Sequence, residues 1–328
     1  MSPPDKKVAL VIGASRGIGR QIALSLADEG YTGTYPPSAQ PALTLIPPLL
    51  THTVVVSAKS TSDPTTCTPF PPDPNSRHST INTVALEIQR RGGTALALPA
   101  DTRSAQSIST LVSSVSTQLG RLDVLVYNAG AIWWGSVAQT PLARFQLMQA
   151  VNVDGLYAAV HAALPVFEAG GWQGRIVVVA PPIYSRFFRG KTAYAVGKVG
   201  MSVLVKGLGM DFERQGRSGM AVSALWPAVA VKSAATGESD DRDLRTPDVF
   251  ADAVVAMVRA PADEVNGCLE LDEDFLRKKG VTDFSRYSVV PGATPRRIMP
   301  AEMPDLRVKE QDDEGTRMDS TKMRAARI

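Results

Sequence analysis

The sequence predicts a doubly wound α/β fold, a mostly parallel sheet of seven strands with helices on both faces, and three observations carry that prediction. Short apolar runs without polar alternation recur along the chain, as strands buried on both faces require. Longer segments with helical periodicity separate them. A glycine-rich turn joins the first apolar run to the first helical segment, where such folds bind nucleotides.

The elements follow in order. "VALVIG" is a strand and "GRQIALSLADEG" a helix; "TVVVSAK" is followed by "INTVALEIQRRGG", "TALALPAD" by "SISTLVSSVSTQLG", and "LDVLVYNAG" by the long helical stretch "RFQLMQAVNVDGLYAAVHAALPVFEAG". "GRIVVVA" precedes "AYAVGKVGMSVLVKGLGMDFERQG", and "AVSALWP" and "GCLELDE" complete the sheet. One Rossmann-type domain over residues 1–285 accounts for all of them.

Two stretches break the rhythm. Residues 31–53 separate the first helix from the second strand, where connections are normally a few residues long, and another irregular stretch spans about 60–80. Between Pro36 and Pro74 lie ten of the 24 prolines, which excludes regular structure from either irregular stretch. Deleting about 33–53 leaves "LADEGYTVVVSAK", an ordinary helix-to-strand join. That insertion is either a surface loop or translated non-coding sequence, and in both cases it belongs outside the core. From residue 286 to 328 the apolar periodicity fades and charge and proline rise, the pattern of a mobile tail.

Charge and cysteine content narrow the function classes. The 35 basic and 32 acidic residues are interleaved, so nothing tracks a nucleic-acid backbone. Cys67 and Cys268 lie far apart and read as reduced thiols, which places the chain inside the cell, in the cytoplasm or an organelle. No uninterrupted apolar run reaches the length of a membrane span, and the N-terminus reads as a first strand rather than a leader. His52, His78 and His161 are scattered, so neither a metal site nor a Ser-His-Asp arrangement is predicted.

"GASRGIG" supplies the chemistry of a dinucleotide site. Gly13, Gly17 and Gly19 permit a tight turn and a close approach of backbone to a pyrophosphate, and Ser15, Arg16 and Ile18 lie within the same turn. The end of the second strand, where an acid would accept the ribose 2′-hydroxyl of NAD(H), instead reads Ser57, Ala58, Lys59. With Arg16 as a second cation, NADP(H) is the expected cofactor and NAD(H) the lesser alternative.

"GASRGIG", "YNAG" ending at Gly130, "VNVDG" with Asn152, and "YAVGK" from Tyr194 to Lys198 stand in the order and at the distances of the short-chain dehydrogenase/reductase family, which the chain resembles over about residues 6–275. "APPIY", "VSALWPAVAVKSAA" and "GCLELDEDF" are most similar to its hydroxysteroid dehydrogenase-like protein 2 group, without the lipid-transfer domain of some members. The resemblance implies that Tyr194 exchanges a proton with substrate, Lys198 stabilises its phenolate and reaches the nicotinamide ribose, and Asn152 holds a relay water. It implies further that Asp101 contacts adenine, that Asn128, Ala129 and Gly130 border the cofactor, and that Pro227 opens a mobile substrate loop. A homodimer or homotetramer is expected by the same analogy.

One part is missing. The family's serine stands about thirteen residues before the tyrosine, where this chain has Ala180 and Pro181. Tyr184, Ser185 and Thr192 are the nearby hydroxyls that could replace it. Trp133, Trp134, Phe187, Phe188 and Trp226 suit an apolar substrate mouth, or equally a core or a subunit interface. The expected activity is therefore NADP(H)-dependent oxidoreduction of a carbonyl or secondary alcohol on a hydrophobic small molecule. The alternatives are a cofactor-binding scaffold without turnover and a non-redox dehydratase or isomerase on the same fold.

Overall fold

The computed structural model describes residues 7–28, 53–68, 73, 75, 76, 78–184, 188–237 and 239–304. Seven strands form one sheet in the order β3-β2-β1-β4-β5-β6-β7, and every neighbouring pair is parallel. They are β1 (Val8–Ile12), β2 (Thr53–Ser57), β3 (Thr94–Ala97), β4 (Val124–Tyr127), β5 (Gly174–Val179), β6 (Met220–Trp226) and β7 (Leu269–Leu271). The helices are α1 (Gly17–Asp28), α2 (Ile81–Arg90), α3 (Ala105–Leu119), α4 (Leu142–Gln149), α5 (Gly155–Ala169), α6 (Thr192–Arg214), α7 (Asp248–Arg259), α8 (Ala262–Val265) and α9 (Asp272–Lys278).

Alternating strand side chains feed two apolar layers. From β1, Ala9 and Val11 pack with Ile22 of α1, Ile88 of α2 and Val254 of α7. Val8, Leu10 and Ile12 point the other way, into a layer with Leu111 of α3, Leu156 of α5 and Met201 of α6. The chain reverses direction across the sheet between β1 and β4, and the crevice at the carboxyl ends of these strands is the expected ligand position.

Three expectations need adjustment. Thr53, counted with the first insertion, is the first residue of β2 and pairs with Val8 through the ladder; residues 29–52 lie outside those described. The long helical stretch is interrupted between α4 and α5 by a π turn at Ala150–Asp154. The tail begins too early at 286: Tyr287 is buried, and Arg297 forms an antiparallel bridge with Val229. Met299 is buried as well. Prolines prevent this segment from forming a helix or strand, yet it docks through scattered apolar side chains, which periodicity does not register. Residues 305–328 are outside the described part.

The run Leu142–Ala169 is long and apolar enough to cross a bilayer by length and composition alone. Here it is a core element: Leu156, Ala159, Ala163 and Phe167 are buried against α3 and the sheet.

Candidate active site

The glycine turn follows from local chemistry. Gly13 has φ +91° and Gly17 φ +53°, conformations that disfavour a side chain. A Cβ on Gly19 would collide with the Gly13 carbonyl and with Asn128, and one on Gly13 would collide with Ala129. Hydrogen bonds hold the turn to the neighbouring strand ends: Gly13 N and Ala14 N donate to Ser57 O, Asn128 N and Ala129 N donate to Ile12 O, and Asn128 Nδ2 donates to Gly13 O at 2.8 Å. Ser15 is buried, with its carbonyl accepting from Ser79 Oγ at 2.6 Å, while Ile18 packs on the α1 side of the core.

The cradle fits a dinucleotide phosphate. Glycine lets its backbone approach the ligand, α1 begins there with unpaired N–H groups, and Arg16 stands at the rim. Arg16 Nη2 donates to Ser60 Oγ at 3.3 Å, which brings its guanidinium to the end of β2 beside exposed Lys59. Sequence reasoning missed Ser60, and also Asn75 and Ser233, whose side chains lie 3.1 Å and 3.7 Å from where a Gly17 Cβ would be. Asp101 is forked onto Arg103, whose hydrogen bonds hold its carboxyl down at about 2.

At the ends of β4 and β5 the predicted catalytic residues converge. Gly130 is the junction: a Cβ there would lie 3.5 Å from both Asn152 Oδ1 and Lys198 Nζ. Asn152 is wholly buried in the π turn, a wide helical turn frequent at functional sites. Its Oδ1 accepts from Ala131 N at 2.8 Å and its Nδ2 donates to Ala131 O at 3.0 Å, so both ends of the amide are fixed. Tyr127 braces the turn by donating to Val151 O at 2.6 Å.

Tyr194 and Lys198 are buried one turn apart on α6. Lys198 Nζ donates to Val179 O at 2.8 Å and lies 5.5 Å from the Trp226 ring centroid. Burial without a carboxylate partner pulls this ammonium down to about 7, and burial pushes the Tyr194 phenol upward. Burial thus favours the neutral form of each group, and a charge on one would be stabilised by the opposite charge on the other.

Among the described residues, no hydroxyl replaces the serine at the expected point. Ala180 is fully buried in the apolar layer with Met201, and Pro181 offers only its carbonyl, which accepts from Ser202 Oγ at 2.6 Å. Tyr184 packs against the apolar group of Met148, Ala193, Tyr194 and Ala195, as do Trp133, Phe145 and Trp226. Thr192 begins α6 at the surface, while Ser185 and Phe187 lie outside the described residues. Trp134 and Phe188 are exposed. Beyond β6, Pro227 is half-buried, and the loop it opens reaches back to the glycine turn at Ser233.

Known proteins bear out this architecture. The short chain dehydrogenase family model matches residues 75–243. Hydroxysteroid dehydrogenase-like protein 2 of Danio rerio is 33% identical over 86% of this chain and 60% of its own length. The Xenopus tropicalis protein of that name is 33% identical over 89% of this chain and 64% of its own length. The chain thus spans less than two thirds of these curated relatives. A crystal structure of a short chain dehydrogenase from Mycobacterium thermoresistibile superposes with a TM-score of 0.72 at 30% identity, covering 94% of this chain and 97% of that one. A family model that matches more than half of the chain, and relatives a third identical over most of it, lead to one conclusion: the chain belongs to the short-chain dehydrogenase/reductase family.

Proposed function

We propose that the protein is an NADP(H)-dependent oxidoreductase acting on a carbonyl or secondary alcohol of a hydrophobic small molecule. The observation that carries this reading is the buried Lys198 ammonium one helical turn from Tyr194 and on the same Gly130 junction as Asn152. Gly13, Gly17, Gly19 and the first turn of α1 would hold the cofactor diphosphate, with Asn128, Ala129, Gly130 and Pro227 along its path and Asp101 at the adenine end. Arg16 and Lys59 would accept the ribose 2′-phosphate. A bound reduced nicotinamide supplies a hydride to the substrate carbon.

This chain's own residues handle the proton. Tyr194 Oη donates to the carbonyl oxygen as negative charge develops there, and Lys198 lowers the cost of leaving a buried phenolate. Val179 O fixes the ammonium. Asn152, held at both ends by Ala131, keeps the π turn open at the place where a water would return a proton toward Lys198. The aromatic surroundings of Tyr194 favour an apolar substrate and exclude water from the developing charge.

A second copy of the chain is the proposed partner. On α6, Val196, Val203 and Met210 recur at one-heptad spacing and are exposed, as is Tyr157 on α5, a stripe that a dimer or tetramer would cover. With two free cysteines, a reducing intracellular setting is proposed.

The test is fluorescence titration with NADPH and NADH of the unsubstituted protein and of Arg16→Ala, followed by reduction of apolar ketones and aldehydes by the unsubstituted protein and by Tyr194→Phe. Arg16→Ala should weaken NADPH and spare NADH, and turnover should vanish in Tyr194→Phe. The absence of a hydroxyl at Ala180 and Pro181 favours a second reading, a cofactor-binding scaffold. Tight NADPH binding without turnover in either protein would establish it.

A further inference from the structure

The segment from Arg297 to Met303 crosses the substrate side of the molecule as a strap. Ile298 N and Met299 N donate to Ala228 O at 2.9 and 3.2 Å, and Arg297 bridges to Val229 in antiparallel sense. Ala228 N in turn donates to Asp272 Oδ1 at 2.8 Å, so both faces of this peptide stretch are engaged. The Arg297 guanidinium forks onto Asp274 at 2.7 and 2.6 Å and also donates to Met299 O and Pro300 O, each at 2.8 Å. Planar bidentate pairing of this kind fixes direction as well as distance.

What the strap carries is apolar. Met299 is buried with Ala228 and Leu271, and Tyr184, Trp226 and Met303 pack against that group. Tyr184 and Trp226 also pack against the group containing Tyr194, and Trp226 lies over Lys198 Nζ. One pair of aromatic side chains therefore separates the strap methionines from the reacting tyrosine. Tyr184, Trp226 and Met303 are each half-buried, so they present a common apolar rim.

We propose that Met303 at this rim, with Met299 beneath it, determines which apolar substrates reach Tyr194, the strap serving as the outer wall of the substrate pocket. Methionine suits that role because its flexible thioether adapts to chains of different shape. The proposal rests on the reading of Tyr194 and Lys198 as the proton-transferring pair.

The experiment uses the full chain loaded with NADPH and a series of short to long straight-chain aldehydes. Met303→Ala should raise kcat/KM for long aldehydes relative to short ones by roughly tenfold, the scale of discrimination an apolar pocket gives for a change of this size. Met303→Trp should shift the preference the opposite way, and neither should change the Kd for NADPH. Met303 is half-buried, so both variants retain the core. A chain-length profile identical in all three proteins would overturn the proposal. If the unsubstituted protein reduces no aldehyde, the activity reading fails by itself, and calorimetric binding of the matching alkyl alcohols replaces turnover. A length dependence that moves with Met303 upholds the strap, and one that does not refutes it.

Discussion

If the chain is the proposed reductase, replacing Ala180 by serine should speed it. Ala180 directly follows β5, its backbone N donating to Val178 O at 3.0 Å, and its side chain points to the α6 side of the sheet, in the layer of Met201 and Val205. Tyr194 and Lys198 project from that same helix, so a hydroxyl at 180 lies on the side of the sheet where the proton is transferred. One well-placed donor to a developing oxyanion contributes about 3–4 kcal/mol, which corresponds to roughly 10²–10³ in kcat. The same hydroxyl, buried without a partner before substrate binds, costs about 1–3 kcal/mol of stability. Ala180→Ser should thus show a higher kcat and a Tm lowered by several degrees together. Oxidation of NADPH by an aldehyde, followed by absorbance in Ala180→Ser and in Ala180→Ser/Tyr194→Phe, separates the cases. An unchanged kcat in a folded, NADPH-binding variant would refute the reasoning, and so would a gain that survives loss of Tyr194.

Two further outcomes follow. Asp272 is fully buried, which raises its carboxyl to about 7 against donation from Ala228 N and Glu273 N. Because the folded value exceeds the unfolded one, the penalty is absent below about pH 4 and stability is lost as pH rises through 7. Asp272→Asn keeps an acceptor for Ala228 and should stabilise the protein at pH 8 by up to about 4 kcal/mol, with little change at pH 4. A Tm difference constant across that pH range would count against it. Separately, α1 ends at Asp28 and β2 starts at Thr53, so deleting residues 33–52 should leave the melting temperature within a few degrees of the full chain in thermal unfolding. A collapse of cooperativity would show that the insertion supports the sheet.

The sheet was legible because strands buried on both faces are built mostly of apolar residues, as β1, β2, β4, β5 and β6 are. Gly13, Gly17, Tyr194 and Lys198 were legible because turn geometry and helical spacing are local properties. Long-range partners were not. Nothing near Lys198 in sequence announces that Val179 O would hold its ammonium, and nothing near Arg16 announces Ser60. The π turn was hidden because its residues continue an apolar helical pattern without a break. The docked part of the tail escaped notice for the opposite reason: Tyr287, Met299 and Met303 belong to no continuous apolar pattern, and prolines between them suggest a chain that packs on nothing.

The stretch from Trp226 to Ser233 borders both the proton-transfer pair proposed above and the glycine turn. Trp226 overlies Lys198, Ala228 takes hydrogen bonds from the C-terminal segment, and Ser233 stands against Gly17. Cofactor cradle and substrate rim are therefore two ends of a single eight-residue stretch of backbone. On the proposed reading, ordering one end would restrict the other, so the entropy lost when NADPH binds would be partly spared when substrate follows, and such a chain would show cofactor-first kinetics.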